Sequence, residues 1–213
     1  MSTLNISPRN SFPVDAGLYR AAAEKDACGV AMLAQLDGRS SHKIVDLALT
    51  GLENLEHRGA AGADPDSGDG AGILIQIPDE FFRGVLDFKL PKRGCYAAGL
   101  VFIDDTDAAE QILRTNAEQL AKEEGLIVLG WREVPFDDSK IGAGAKAVMP
   151  RMLQLFVSSE KTELAGIELD RKTFFLRKRL GNLTGAYMPS LSARTIFIRE
   201  CSHRRNCAVS SQT

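Results

Sequence analysis

Apolar residues recur along part of this chain at the spacing of an amphipathic helix. Between residues 41 and 57 they are three or four positions apart, so one face of a helix would be apolar. Ser41 is the expected N-cap of this helix, and Gly59 lies just beyond its expected end. The apolar positions are Ile44, Ala48, Leu52 and Leu55.

Shorter apolar runs bounded by turn residues predict strands. They cover residues 28–36, 72–77, 95–103, 126–134, 153–157 and 195–198. The first run begins at Cys28, is expected to be buried, and is closed by the turn pair at residues 37–38. Glycine-rich segments at residues 59–72 and 142–147 are expected to be loops.

Two further helices are predicted, over residues 105–124 and 167–183. In the second of these helices Phe174, Phe175 and Leu180 are expected to face inward. The chain therefore mixes helices and strands along its whole length.

Composition and charge exclude several classes of protein. The chain has 213 residues and 44% hydrophobic content, which suits one globular domain. Its 26 basic and 28 acidic side chains leave a formal charge of -2, which does not indicate a nucleic-acid-binding protein. The near-neutral charge favours a small-molecule or protein partner instead. No apolar run approaches the ~18 residues of a membrane span. Four scattered cysteines suggest no disulfide framework, so we expect a cytoplasmic protein.

Cys28 follows a polar stretch, residues 1–27, which is expected to be a leader rather than a secretory signal. Cleavage before Cys28 would place a free α-amine, with an ordinary pKa of about 7.7 to 8.0, beside a thiol with an ordinary pKa of about 8.5. The amine could accept the thiol proton and create a nucleophile. Because free cysteines are often simply buried in the core, spacing alone leaves both interpretations open.

A glycine-rich run and a Cys-His-Cys group also suggest ligand sites, but neither has the spacing of a known one. The glycine-rich run GDGAG at residues 68–72 lacks the Lys-Ser/Thr ending of a P-loop, so nucleotide binding is not expected there. Cys201, His203 and Cys207 have no fourth ligand and no known zinc spacing, so no metal site is expected. They lie in residues 199–213, a polar stretch that is expected not to pack.

Three short elements occur in order: DACGV at residues 26–30, HRGA at residues 57–60 and GDGAGI at residues 68–73. Together they resemble the successive signatures of the glutamate synthase large subunit. The segment YMPSLSARTI at residues 187–196 also resembles this family, and the resemblance fades after about Ile198.

The resemblance implies an N-terminal class II glutamine amidotransferase domain of the N-terminal-nucleophile (Ntn) hydrolase type. The implied fold class is α+β, a four-layer αββα sandwich that is expected to be incomplete at its C-terminal end. The expected organisation is a leader over residues 1–27, a partial amidotransferase domain over residues 28–198 and a divergent, disordered tail over residues 199–213.

For the chemistry, the resemblance implies a glutaminase with Cys28 as nucleophile. Its thiolate would attack the carboxamide carbon of L-glutamine and release ammonia, and water would then hydrolyse the thioester to glutamate. Arg58 matches the family arginine that holds the α-carboxylate of glutamine. By position alone Arg58 would be an exposed arginine after a helix. Asp69 and Gly70 are expected to belong to an active-site loop.

The resemblance also implies cofactors and partners outside this chain. In the full-length family enzyme a synthase domain carries FMN and an iron-sulfur cluster and works with NADPH or ferredoxin, together with a small subunit in some members. No cofactor is expected in this chain itself. The family's oxyanion-hole pair and amine-binding acid have no match here, so the chain alone is expected to be inactive. The alternatives are a non-catalytic truncated remnant or interaction module, and, ranked last, an unrelated Ntn amidase.

Overall fold

The computed structural model describes residues 29–55, 70–139, 141–160 and 163–200. For residues 199 and 200 it describes the backbone alone. Helices and strands alternate along these residues. The helices are α1 (Lys43–Asn54), α2 (Asp79–Val85), α3 (Asp107–Glu123), α4 (Ala143–Lys146) and α5 (Gly166–Thr184). The strands are β1 (Ala71–Gln76), β2 (Tyr96–Ile103), β3 (Leu126–Glu133), β4 (Arg151–Ser159) and β5 (Thr195–Glu200).

The described strands form two antiparallel sheets. In the first, β1 pairs with β5, and Ile73 lies opposite Ile198. In the second the order is β2-β4-β3, so the central strand β4 is paired on both sides. The register of β3 shifts at an irregularity between Val128 and Gly130, next to the edge of this sheet.

The two sheets and the helices form layers around two apolar cores. One core lies between the sheets and includes Tyr96, Phe156 and Ile196. The other joins the opposite face of the three-stranded sheet to α3 and α5, with Leu155 and Leu176 fully buried. Since α1 contacts β1 outside these cores, the order is helix, sheet, sheet, helix. The predicted α+β fold with four αββα layers is confirmed for the described residues.

Local signals account for the bounds of α3. The side-chain oxygen of Thr106 accepts a hydrogen bond from the backbone N–H of Ala109 at 3.1 Å, which caps the first turn. At the other end Gly125 adopts a positive φ of 69°, the left-handed conformation that ends helices at low steric cost. Lys172 of α5 donates to the free carbonyl of Glu124 at 2.8 Å and ties this helix end to its neighbour.

The segment between α5 and β5 runs along the outer edge of β2. Tyr187 exchanges two backbone hydrogen bonds of 2.9 Å with Phe102, and Ser192 pairs in the same way with Ala98. A Cβ built on Gly99 would lie 2.2 Å from the backbone oxygen of Ser190. The close approach of this segment to β2 therefore requires glycine at position 99.

The prediction of a buried strand over residues 28–36 is wrong for the residues that the structure describes. Residues 29–36 form no strand, and Val30, Met32 and Leu36 are 85–99% exposed. Neither described sheet pairs with this stretch, and an apolar run forms a stable strand only where another strand offers hydrogen-bonding partners.

Other predictions need smaller corrections. The N-cap of α1 is His42, not Ser41, and it makes no side-chain capping bond. The predicted loop at residues 142–147 contains the short helix α4, and α2 was not predicted. Phe174 and Phe175 point outward, about half exposed, whereas Leu180 is buried as predicted.

Candidate functional site

The predicted site residues fall mostly in segments that the structure does not describe. Cys28, Arg58 and Asp69 lie outside the described residues. Gly70 is described and is exposed, directly before the first residue of β1. The structure does describe the elements that adjoin them in the chain.

These elements meet around α1. Gly29 follows Cys28, α1 ends shortly before Arg58, and Gly70 leads into β1. Helix α1 contacts β1, and a Cβ built on Gly51 of this helix would lie 3.8 Å from the Cβ of Ala31. The described neighbours of the three candidate residues thus lie on one side of the sandwich.

The two-stranded sheet positions Gly70. Ala71, the next residue, pairs with Glu200 at the far end of β5. The inward side chains of this sheet, including Ile75 and Ile196, pack in the core between the sheets. Burial of these side chains holds β1 in one register, because a slip of one residue would turn them outward.

A partly buried polar cluster follows β1 at the start of α2. Asp79 accepts hydrogen bonds from Arg83 Nε at 2.9 Å and from the hydroxyl of Tyr96 at 3.0 Å. The hydrogen bond from Arg83 is the main reason that the pKa of Asp79 is lowered. Burial, followed by the hydrogen bond to Asp79, raises the pKa of Tyr96. These contacts join α2 to β2 and so hold the end of the sandwich together.

Sequence reasoning missed this cluster, although one signal was present. Asp79 and Arg83 stand four residues apart, a spacing that places opposite charges side by side on a helix. Arg83 also donates to the carbonyls of Leu90 and Pro91. The partner Tyr96 could not be identified from spacing because it belongs to another element.

The described residues offer few features typical of cofactor sites. Within the described ranges no three His, Cys, Asp or Glu side chains converge as metal ligands. Cys201, His203 and Cys207 lie outside those ranges. A shallow depression of about 360 Å³ is lined by α3 residues alone. None of the helices described has both the length and the apolar character needed to cross a bilayer.

Comparison with known proteins gives consistent matches. The family model of the class-II glutamine amidotransferases matches residues 28–205. The large chain of the NADPH glutamate synthase of Bacillus subtilis (strain 168) is 38% identical over 196 residues, which cover 89% of this chain and 13% of the relative. Ferredoxin-dependent glutamate synthase 2 of Synechocystis is 38% identical over 181 residues, 83% of this chain and 12% of the relative.

A eukaryotic relative shows the same pattern. The NADH glutamate synthase of Schizosaccharomyces pombe is 38% identical over 208 residues, 92% of this chain and 10% of the relative. The chain thus spans 10–13% of the length of these relatives. The family match begins at Cys28 and takes in every described element, from α1 to β5. The chain belongs to the class-II glutamine amidotransferases.

Proposed function

We propose that this chain is part of the glutaminase of a glutamate synthase, which hydrolyses L-glutamine to glutamate and ammonia through Cys28, and that the chain alone is inactive. The observation that carries the proposal is the start of the family match at Cys28. Cleavage before this residue would make it the N-terminal residue, and only then would its α-amine be free to act as a base.

In the proposed reaction the α-amine of Cys28 accepts the thiol proton, and the sulfur attacks the carboxamide carbon of glutamine. The carbon–nitrogen bond breaks and the amine returns the proton, so ammonia leaves and a thioester remains. Water, deprotonated by the same amine, then attacks the thioester and releases glutamate and the free thiol. The sum is glutamine plus water giving glutamate plus ammonia.

Three further residues are assigned roles in this proposal. Arg58 binds the α-carboxylate of glutamine, because its planar guanidinium can donate two parallel hydrogen bonds to the two oxygens. Asp69 and Gly70 form a loop beside the nucleophile. The contacts of α1 with β1 and with Ala31 support this arrangement, since they bring the flanking elements together.

The wider setting of the reaction is also a proposal. Residues 1–27 are a leader, residues 28–198 are part of the amidotransferase domain, and residues 199–213 are a divergent tail whose first two residues complete β5. In a complete synthase the ammonia would be used in glutamate biosynthesis by a domain that carries FMN and an iron-sulfur cluster. The names of the relatives include both an NADPH and a ferredoxin-dependent enzyme. NADPH and ferredoxin are therefore the candidate electron donors of the complete enzyme. We propose the cytoplasm as the compartment.

The proposal is tested by intact mass and N-terminal sequencing of the expressed chain, followed by labelling with a diazoketone analogue of glutamine. We expect loss of residues 1–27 and one label on Cys28. The Cys28→Ala variant should take no label. The Cys95→Ala variant should label like the unaltered chain, because the Cys95 side chain is buried.

Each outcome of this test has a distinct meaning. A retained leader with no label would contradict the proposal and favour a non-catalytic remnant or interaction module. Labelling of Cys28 without release of glutamate would support the role of Cys28 as the nucleophile and the expected inactivity of the chain alone. Labelling together with glutamate release would support the glutaminase reaction and contradict the expected inactivity of the chain alone.

A further inference from the structure

Arg132 occupies an unusual position on the inner face of the three-stranded sheet. It lies on the edge strand β3, opposite Gln154 of β4, and its NH1 group donates to Gln154 Oε1 at 2.9 Å. Gln154 is only 7% exposed and shares its face of β4 with Phe156 of the core between the sheets. A buried neutral amide therefore holds this guanidinium at the rim of the sandwich.

The guanidinium of Arg132 has no ion pair with any residue in the described ranges. Other partly exposed arginines do: Arg83 meets Asp79 at 2.9 Å, and Arg151 meets Glu110 at 2.7 Å. Burial lowers the pKa of Arg132. Partial burial of a charge without a counter-ion is unfavourable, so an anion bound here would relieve an existing cost.

Phe81 of α2 completes the surroundings of this guanidinium. Its ring centroid lies 5.7 Å from the central carbon of the Arg132 guanidinium, within the range of a cation–π contact. The ring is 51% exposed, so this side of the site is open to solvent. An arginine has five N–H donors, and toward the residues in the described ranges those of Arg132 make a single hydrogen bond, to Gln154. Donors remain for a ligand.

We propose that Arg132, Gln154 and Phe81 form a binding site for a carboxylate on a short aliphatic chain. A single guanidinium carries one positive charge, and its planar edge matches the two oxygens of one carboxylate. A phosphate dianion would find no second cation among the recorded contacts of these residues. The exposed ring of Phe81 offers an apolar surface for the methylene groups beside the carboxylate.

The carboxylate could come from a free dicarboxylate or from a glutamate side chain of a partner polypeptide. Both present the same group to Arg132, and they are distinguished by experiment. The proposal does not rest on Cys28, because none of the three residues belongs to the elements that adjoin it. Binding is therefore measured in the full chain and again in its Cys28→Ala variant, where the glutaminase reaction is removed.

The test is a titration with glutarate, and separately with an end-capped peptide that contains one glutamate, at an ionic strength held constant with sodium chloride. Calorimetry measures affinity, and the ¹⁵N–¹H signal of Arg132 Nε reports contact. We expect saturable binding of at least one ligand, weakened about tenfold or more in Arg132→Gln, because a charge-assisted hydrogen bond is lost. Arg171→Gln is the control, since Arg171 is exposed and paired with Glu168.

Equal affinity of the unaltered chain and Arg132→Gln would overturn the proposal, as would failure of both ligands to saturate. Trp131, the one tryptophan of the chain, reports by its fluorescence whether Arg132→Gln is folded. If that variant does not fold, the proposal is tested on the unaltered chain alone. The ¹⁵N–¹H signal of its Arg132 Nε must then shift with glutarate and not with chloride.

Discussion

Asp170 accepts a hydrogen bond of 2.6 Å from the backbone N–H of Ala193 and so joins α5 to the segment that precedes β5. The same carboxylate accepts from Ser192 Oγ at 3.2 Å and from Arg194 Nε at 2.7 Å. Three consecutive residues thus converge on one acidic side chain just before Thr195, where β5 begins. Because β5 pairs with β1, this carboxylate helps to position the strand that follows Gly70.

We predict that Asp170→Asn destabilises the fold by about 1–3 kcal/mol, because the amide keeps one acceptor oxygen but loses the charge that binds Arg194. Urea unfolding measures this change. Glu168→Gln is the control on the same helix, since Glu168 meets Arg171 at the surface, where such pairs contribute only about 0–1 kcal/mol. Equal losses in the two variants would contradict the role given to Asp170.

Gly99 should not tolerate a side chain. Its Cβ would clash with the backbone of Ser190, which cannot move without breaking the pairing beside β2, so we expect Gly99→Ala to destabilise by about 1–3 kcal/mol. Gly84→Ala is the matched control, because a Cβ there meets nothing within 4 Å. In helix α2 alanine should be neutral or stabilising by up to about 1 kcal/mol. Thermal unfolding of both variants checks the contrast.

The two sides of α5 should respond differently to truncation. Leu176 is fully buried against the three-stranded sheet, so Leu176→Ala should cost about 2–5 kcal/mol. Phe175 is 57% exposed, and Phe175→Ala should cost less than about 1 kcal/mol although it removes a larger side chain. Urea unfolding of the pair tests the orientation of the helix, and a larger loss in Phe175→Ala would mean that the opposite side is buried.

Asp79 should contribute to stability in a pH-dependent way. Its pKa is lowered below the ordinary value of 3.8, above all by the hydrogen bond from Arg83. A carboxyl with a lowered pKa in the folded state adds stability above its unfolded pKa, and this stability is lost as pH falls through the folded pKa. Asp79→Asn should therefore weaken the pH dependence of the unfolding free energy below pH 3.8, as measured by urea unfolding at successive pH values.

Tyr96→Phe is the control for this prediction. It removes the hydroxyl that donates to Asp79 but leaves Arg83, the larger cause of the lowered pKa. Most of the acid-dependent loss of stability should therefore remain in Tyr96→Phe. If Asp79→Asn and the unaltered chain lose stability equally on acidification, Asp79 does not contribute in the way proposed.

Much of the fold followed from local patterns. The positions of β1 to β5 and of the three long helices agree with apolar runs, and Gly125, the residue directly after the predicted helix over residues 105–124, has a positive φ. The motif at residues 26–30 and its two successors indicated the family that the comparisons confirm. These features are local because each depends on the spacing and backbone preference of neighbouring residues.

Only the tertiary structure decided which apolar residues are buried and which strands pair. Phe174 and Phe175 look like core residues in the sequence, yet the sheet beneath α5 contacts the side that carries Leu176. The apolar run after Cys28 looks like a strand, yet the described residues provide no partner for it. The sequence by itself determined where the three long helices and the five strands lie, to within a few residues. Contacts between distant segments determined the pairing of the strands and the burial of side chains, because both depend on neighbours that local spacing does not contain.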